Sequence, residues 1–176
     1  MKKRLALLQM DVHVNDVEYN YNRVQELLTQ SLTENPDIIV LPETWNTGFH
    51  PSDDLITIAD RNGERTKSLL TAFAKEHNVN IVGGSVAVAK DDLVFNTSYA
   101  YNREGDLVGE YSKMHGFSPA KEDKYFANGT HTTHFKLDGI PCSTVICYDI
   151  RFPELVRMAA LPVSYTHLTL PTSDLV

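Results

Sequence analysis

Apolar and polar positions along this chain recur with two different periods, and the switches between them mark out its elements. Residues 3–9 carry Leu5, Leu7 and Leu8 in a short run that predicts a first strand. Over residues 19–32, Val24, Leu27, Leu28 and Leu32 fall at helical spacing and form one apolar stripe. Residues 37–41 read Asp-Ile-Ile-Val-Leu, a continuous apolar run that suits a strand buried on both faces, and Pro42 ends it. A second amphipathic helix is predicted over residues 63–77, with Leu69, Leu70, Phe73 and Ala74 on one side. Residues 80–86 predict a strand that contains the Gly83-Gly84 pair. Residues 95–101 and 107–112 predict a hairpin, with Asn-Arg-Glu-Gly-Asp supplying the turn. Two further strands are predicted over 132–137 and 144–147, around the turn Asp138-Gly139. A helix is predicted over 151–161, with Pro153 suited to its first turn. Strands interleaved with helices predict an α/β or layered α+β protein. In such folds functional groups collect at the carboxyl ends of the strands.

Composition narrows the function classes. The 176 residues suit one domain, and 42% hydrophobic with 22% charged residues is ordinary for a globular protein with a core. A net charge of -7 offers no basic face for nucleic acid and opposes binding to anionic membrane surfaces. The opening Met-Lys-Lys-Arg is followed only by the apolar stretch from Leu5 to Leu8, too short for a signal or a membrane span, so the expected location is cytoplasmic. Cys142 and Cys147, if they lie in one strand, stand roughly 16 Å apart. A disulfide needs Cα atoms about 4.4–6.8 Å apart, so both are expected to be free thiols.

The candidate chemistry sits at strand ends. Cys147 lies in Thr-Val-Ile-Cys-Tyr-Asp-Ile-Arg-Phe-Pro-Glu-Leu, an apolar strand followed by a tight passage into a helix. That corner suits a nucleophile, because backbone N–H groups there can meet a developing oxyanion. Glu43, in Ile-Ile-Val-Leu-Pro-Glu-Thr-Trp, is a carboxylate placed directly after a buried strand, the setting of a general base. Lys113, in Glu-Tyr-Ser-Lys-Met-His-Gly-Phe, can steady an oxyanion from the end of its strand. Taken singly, each has a blander meaning: a core cysteine, a loop acid and a solvated surface charge. Cys142 takes the bland meaning of a core thiol. His115 is expected to play a structural part beside Lys113, and His131 and His134, spaced like a metal pair but lacking acidic or cysteine partners, to be surface or sheet residues.

Taken together and in order, the segments around Glu43, Lys113 and Cys147 resemble the Glu-Lys-Cys motifs of the nitrilase, or carbon–nitrogen hydrolase, superfamily. Cys-Tyr-Asp-Ile-Arg-Phe-Pro-Glu is the most specific part, supported by Leu-Pro-Glu and Tyr-Ser-Lys-Met-His-Gly-Phe. The resemblance implies an α-β-β-α sandwich, Glu43, Lys113 and Cys147 as catalytic residues, no cofactor, no metal, and frequent homo-oligomers. It implies that Glu122, in Lys-Glu-Asp-Lys-Tyr-Phe-Ala-Asn-Gly, orients Lys113 or the substrate amine, and that the Tyr148 backbone N–H is an oxyanion donor. Gly116 departs from the family pattern, which usually has leucine there, and alters local packing rather than chemistry. The stretch from Ile81 through Asn96-Thr97 looks most like the omega-amidase branch, whose members release ammonia from small dicarboxylate monoamides such as 2-oxoglutaramate. The implied partners are a small amide and water. Other amidases, carbamoylases and nitrilases of the superfamily stay open, as does an inactive truncated fragment that only binds ligand. A thiol-redox role is weakened by the lack of a resolving cysteine in reach.

From Pro162 the sequence changes character. Pro-Val-Ser-Tyr-Thr-His-Leu-Thr-Leu-Pro-Thr resembles the in-frame translation of a transposase-type sequencing adapter. Residues 1–161 are therefore expected to form the N-terminal part of a carbon–nitrogen hydrolase domain, and residues 162–176 a non-native tail whose His167 has no part in the site.

Overall fold

The computed structural model describes residues 2–49 and 52–162. The expectation for the tail therefore lies almost wholly outside the described residues. Strands β1 (Leu5–Leu7), β2 (Ile38–Val40) and β4 (Asn80–Val82) run parallel, separated by helices α1 (Val17–Ser31) and α3 (Glu64–His77). Asp16 caps α1 by accepting from the Tyr19 N–H at 3.1 Å, an ordinary N-cap bond. Between β2 and α3 lie a short helix α2 (Leu55–Ile58) and β3 (Asp60–Arg61), neither legible in the periodicity. Strands β5 (Val86–Lys90), β6 (Leu93–Tyr101) and β7 (Leu107–Ser112) complete a seven-stranded mixed sheet of order β1-β2-β4-β6-β5-β3, with β7 on the other edge of β6.

The predicted strand over 80–86 is longer than expected and broken. Its two parts, β4 and β5, run antiparallel along one edge of β6, in registers Ile81↔Tyr101 and Val86↔Thr97. Residues 83–85 bulge between them. Gly84 has φ +58, and a Cβ there would stand 1.9 Å from the Pro42 carbonyl oxygen. Only glycine lets the chain that follows β2 come so close.

The sheet is covered differently on its two faces. Ile39 and Ile81 pack with Tyr21, Val24 and Leu28 of α1 and Leu70, Phe73 and Ala74 of α3. Ile38 lies on the opposite face in a cluster with Val40, Val82, Ala100, Phe135 and Leu137. Period-two alternation along β2 thus feeds two cores, which explains its unbroken apolar run. Phe135 and Leu137 belong to a small antiparallel hairpin of β8 (His134–Leu137) and β9 (Ile140–Ser143). Helices, sheet and second sheet form successive layers.

The strand predicted at 144–147 is displaced. Asp138 and Gly139 both have positive φ, the signature of a two-residue type I′ turn. That turn fixes the pairing Leu137↔Ile140 and ends it at His134↔Ser143. Residues 144–146 have no strand partner among the described residues, and Cys147 opens a 3-10 turn, Cys147–Arg151, rather than closing a strand. Helix α5 (Pro153–Ala160) follows with Pro153 in its first turn. Both cysteines are free thiols.

Candidate active site

Three chain segments meet beside the middle of β6. Glu43 stands just beyond β2, on a turn fastened to the bulge. The Ser85 N–H donates to the Pro42 carbonyl (3.0 Å), while the Thr44 and Trp45 N–H groups donate to the Ser85 Oγ (3.0 Å) and carbonyl (3.2 Å). Trp45 is fully buried and donates from Nε1 to the Gly83 carbonyl at 2.9 Å. Thr44 has φ +44, a left-handed conformation that β-branched residues rarely adopt. The backbone on either side of Glu43 is therefore held by several independent contacts. Lys113 directly follows β7, and its N–H donates to the Asn96 carbonyl at 2.9 Å. The ladder between β6 and β7 thus runs one residue past the strand and sets Lys113 against Asn96.

The side chains form a compact charged cluster. Lys113 is almost wholly buried, and its Nζ donates to Glu43 Oε1 at 3.0 Å and to Glu122 Oε1 and Oε2 at 3.0 and 2.8 Å. Glu122 opens the short helix α4 (Glu122–Tyr125), is itself fully buried, and accepts the Phe117 N–H at 2.7 Å. Asn96 Nδ2 donates to Glu43 Oε1 at 2.9 Å and to Glu122 Oε1 at 3.3 Å. Burial alone would lower the Lys113 ammonium; the Glu43 charge and hydrogen bonds to Glu122 and Glu43 outweigh it and hold it above the ordinary lysine value. Glu122 thus contacts Lys113 through both of its carboxylate oxygens.

Cys147 is exposed on one side of the cluster and has φ +47, a strained conformation for cysteine. Protein packed around its sulfur, then the Glu43 charge, push the thiol up to about 11, with Lys113 pulling the other way. This setting favours the neutral thiol over the thiolate. Tyr148 is the second residue of the 3-10 turn, where opening N–H groups have no partner within the turn. Asp149, fully buried, fastens this turn to the Lys113 segment. It accepts the Tyr111 hydroxyl at 2.6 Å, the His115 N–H and Nδ1 at 2.9 Å each, and the Ile146 N–H at 3.1 Å. The His115 ring stacks on Phe152 with centroids 3.6 Å apart. His131 is exposed in a loop and His134 begins β8, also exposed. A separate groove of about 510 Å³, beside β5, β6, β7 and residues 127–131, contains none of Glu43, Lys113, Glu122 and Cys147.

Comparison with known proteins places the chain in a family. The carbon-nitrogen hydrolase family model matches residues 4–172. The chain belongs to that family. It is 40% identical over 157 residues to a 2-oxoglutaramate amidase of Bacillus subtilis, covering 89% of this chain and 60% of the relative. It is 27% identical over 172 residues to a chloroplastic omega-amidase of Arabidopsis thaliana, covering 90% of this chain and 46% of that protein. The crystal structure of a CN-hydrolase superfamily protein of Xanthomonas campestris superposes with a TM-score of 0.77 at 28% identity, over 86% of this chain and 56% of that one. An amidase of Nesterenkonia sp. shares the fold, with a TM-score of 0.79 at 22% identity, over 90% of this chain and 60% of that one. The chain spans about 60% of the length of the first of these relatives.

In this carbon–nitrogen hydrolase two residues of the site escape a reading based on motif roles alone. Asn96 bridges two carboxylates from within a strand, where asparagine is disfavoured, and that misfit is the signal it leaves in the sequence. Asp149 stands inside the cysteine motif, but its partners at Tyr111 and His115 are distant in sequence, so only the fold exposes its role. Among the described residues no helix is long and apolar enough to cross a membrane.

Proposed function

We propose that this chain carries the catalytic centre of a thiol-dependent amidase that hydrolyses a small linear amide through a thioester on Cys147. The observation that carries this reading is the cluster itself: one buried lysine shared by two carboxylates, beside a protonated cysteine whose thiol feels all three charges. Cys147 Sγ attacks the amide carbonyl carbon as Glu43 accepts the thiol proton. Lys113 Nζ and the Tyr148 N–H steady the tetrahedral oxyanion. The C–N bond breaks as Glu43 passes its proton to the departing nitrogen, and ammonia leaves. Water then attacks the thioester with Glu43 again as base, releasing the carboxylic acid and restoring the thiol. Glu122 keeps Lys113 charged and aimed, so every proton in the cycle is handled by these side chains. All of them fall within residues 1–161.

The similarity to a 2-oxoglutaramate amidase supports a dicarboxylate monoamide as substrate, with 2-oxoglutarate and ammonia as products. The test is ammonia release from 2-oxoglutaramate by the protein expressed from its complete reading frame. Turnover is expected to vanish in Cys147→Ala. Unimpaired turnover in that variant would remove Cys147 from the mechanism. Turnover of other amides but not of this one would overturn the substrate.

A further inference from the structure

We propose that Asn96 is a positioning residue of this site: its amide holds Glu43 by one oxygen and thereby leaves the other, Oε2, to take the proton from Cys147. The inference rests on the amidase reading above. It begins from the asymmetry of Glu43. Oε1 accepts from both Lys113 Nζ at 3.0 Å and Asn96 Nδ2 at 2.9 Å, neither of which reaches Oε2, and the carboxylate lies within hydrogen-bonding reach of the Cys147 thiol. A carboxylate held by a single donor turns about that bond. Two donors on one oxygen, one from β6 and one from the end of β7, fix the plane of the group.

Lys113 cannot do this alone. An ammonium has three protons, and here its contacts to Glu43 Oε1 and to both oxygens of Glu122 engage all of them. When negative charge develops on the substrate oxygen, Lys113 must redirect part of that bonding toward it. A neutral second donor then keeps Glu43 in place without altering the charge of the cluster. Asn96 is suited to the task. Its backbone carbonyl takes the Lys113 N–H, so one residue registers the lysine by its main chain and both glutamates by its side chain.

The orientation of the amide is forced, because the opposite flip would set its carbonyl against two carboxylates. The residue is 1% exposed, and Oδ1 is buried without a partner among the described residues. A buried polar atom left unmatched in the middle of a strand is disfavoured. The geometry points to the donor end as the reason an asparagine stands there.

The test uses Asn96→Leu, which keeps the shape and removes the donor, and Asn96→Ser, which folds readily but is too short to reach both carboxylates. Glu43→Gln is run in parallel in the protein expressed from its complete reading frame. Three readouts are taken: kcat and KM for ammonia release from 2-oxoglutaramate, the rate of Cys147 alkylation by iodoacetamide followed by peptide mapping, and the melting temperature. The expected result is a fall in kcat of about 10- to 100-fold, the scale of a misplaced catalytic group. KM should stay within about twofold, since uniform binding is untouched, and the alkylation rate should depart from the parent's, since the Glu43 charge that raises the thiol has moved. Unchanged kcat and alkylation in a folded Asn96 variant, with Glu43→Gln inactive, would overturn the role of Asn96 alone. A raised KM with unchanged kcat would likewise overturn positioning. Unchanged rates in Glu43→Gln as well would overturn the site from which the inference starts. Should Asn96→Leu fail to fold, Asn96→Ser decides.

Discussion

Replacing Lys113 with methionine removes the single cation from a buried group of three charges and leaves two carboxylates facing each other. At 2.8–3.0 Å from the carboxylate oxygens and an effective dielectric near 20, each lysine–glutamate contact amounts to about 5–6 kcal/mol of Coulomb attraction before desolvation is set against it. The net effect is smaller, since breaking a buried pair by removing one partner destabilises by about 3–5 kcal/mol. Glu122 is the group that suffers, because it is wholly buried and, among the described residues, retains the Phe117 N–H and Asn96 as donors. For a chain of this size that loss lowers the melting temperature by roughly 10 °C. Thermal unfolding followed by near-ultraviolet circular dichroism measures it. Adding Glu122→Gln to Lys113→Met should recover much of the melting temperature by discharging the orphaned carboxylate, yet restore none of the activity. Because its neighbours hold Lys113 above the ordinary lysine range, its contribution is complete at neutral pH and is lost only as pH climbs through that raised value. A Lys113→Met protein that melts within a degree of the parent, or a double variant no more stable than the single one, would refute this account of the cluster.

Three further outcomes follow from particular contacts. With its thiol raised to about 11, Cys147 should be alkylated by iodoacetamide at a rate that still climbs above pH 9, and faster than the half-buried Cys142; a plateau below pH 9 counts against the electrostatics described. Gly84→Ala should destabilise by about 3 kcal/mol or more, since the new methyl meets the Pro42 carbonyl oxygen and φ is positive, and it should depress kcat by moving Glu43; a stable, fully active variant excludes the bulge as the anchor of that turn. Hydrogen bonds from Arg103, then from Lys3, hold Asp138 well below the usual carboxylate range, so its contribution is present above the unfolded value near ~4 and lost as pH falls below it. Asp138→Asn should therefore flatten the dependence of melting temperature on pH between about 5 and 2; an undiminished slope assigns acid sensitivity elsewhere.

The long elements were legible because their patterns answer to burial on one side. Leu69, Leu70, Phe73 and Ala74 report α3 directly, and the run Ile38-Ile39-Val40 reports a strand with a core on each face. Elements of two to four residues, such as α2, β3 and α4, are too short to show a period. The break at residues 83–85 escaped because a glycine pair marks a bulge without saying what approaches it; the Pro42 backbone does. The strand at 144–147 was misplaced because apolar Val145 and Ile146 look like a strand, whereas the turn at Asp138-Gly139 fixes where pairing stops. In the site, the motifs named Glu43, Lys113, Glu122 and Cys147, and the fold brings them together. Motifs carry residues adjacent in sequence, however, and the bonds from Asn96 to the two glutamates reach across 26 to 53 positions and those of Asp149 to Tyr111 and His115 across 34 to 38.

On the proposed mechanism, the left-handed backbone at Cys147 sets stability against chemistry at a single position. Glycine enters that basin without strain and asparagine with little, but neither carries a thiol. A descendant released from the need to catalyse therefore has a downhill route away from cysteine, one codon long. Asp149 would still hold the turn to Tyr111 and His115 after the exchange. If the proposed reaction is the one performed, its loss is the easy direction of drift, and its recovery must climb against the strain at residue 147.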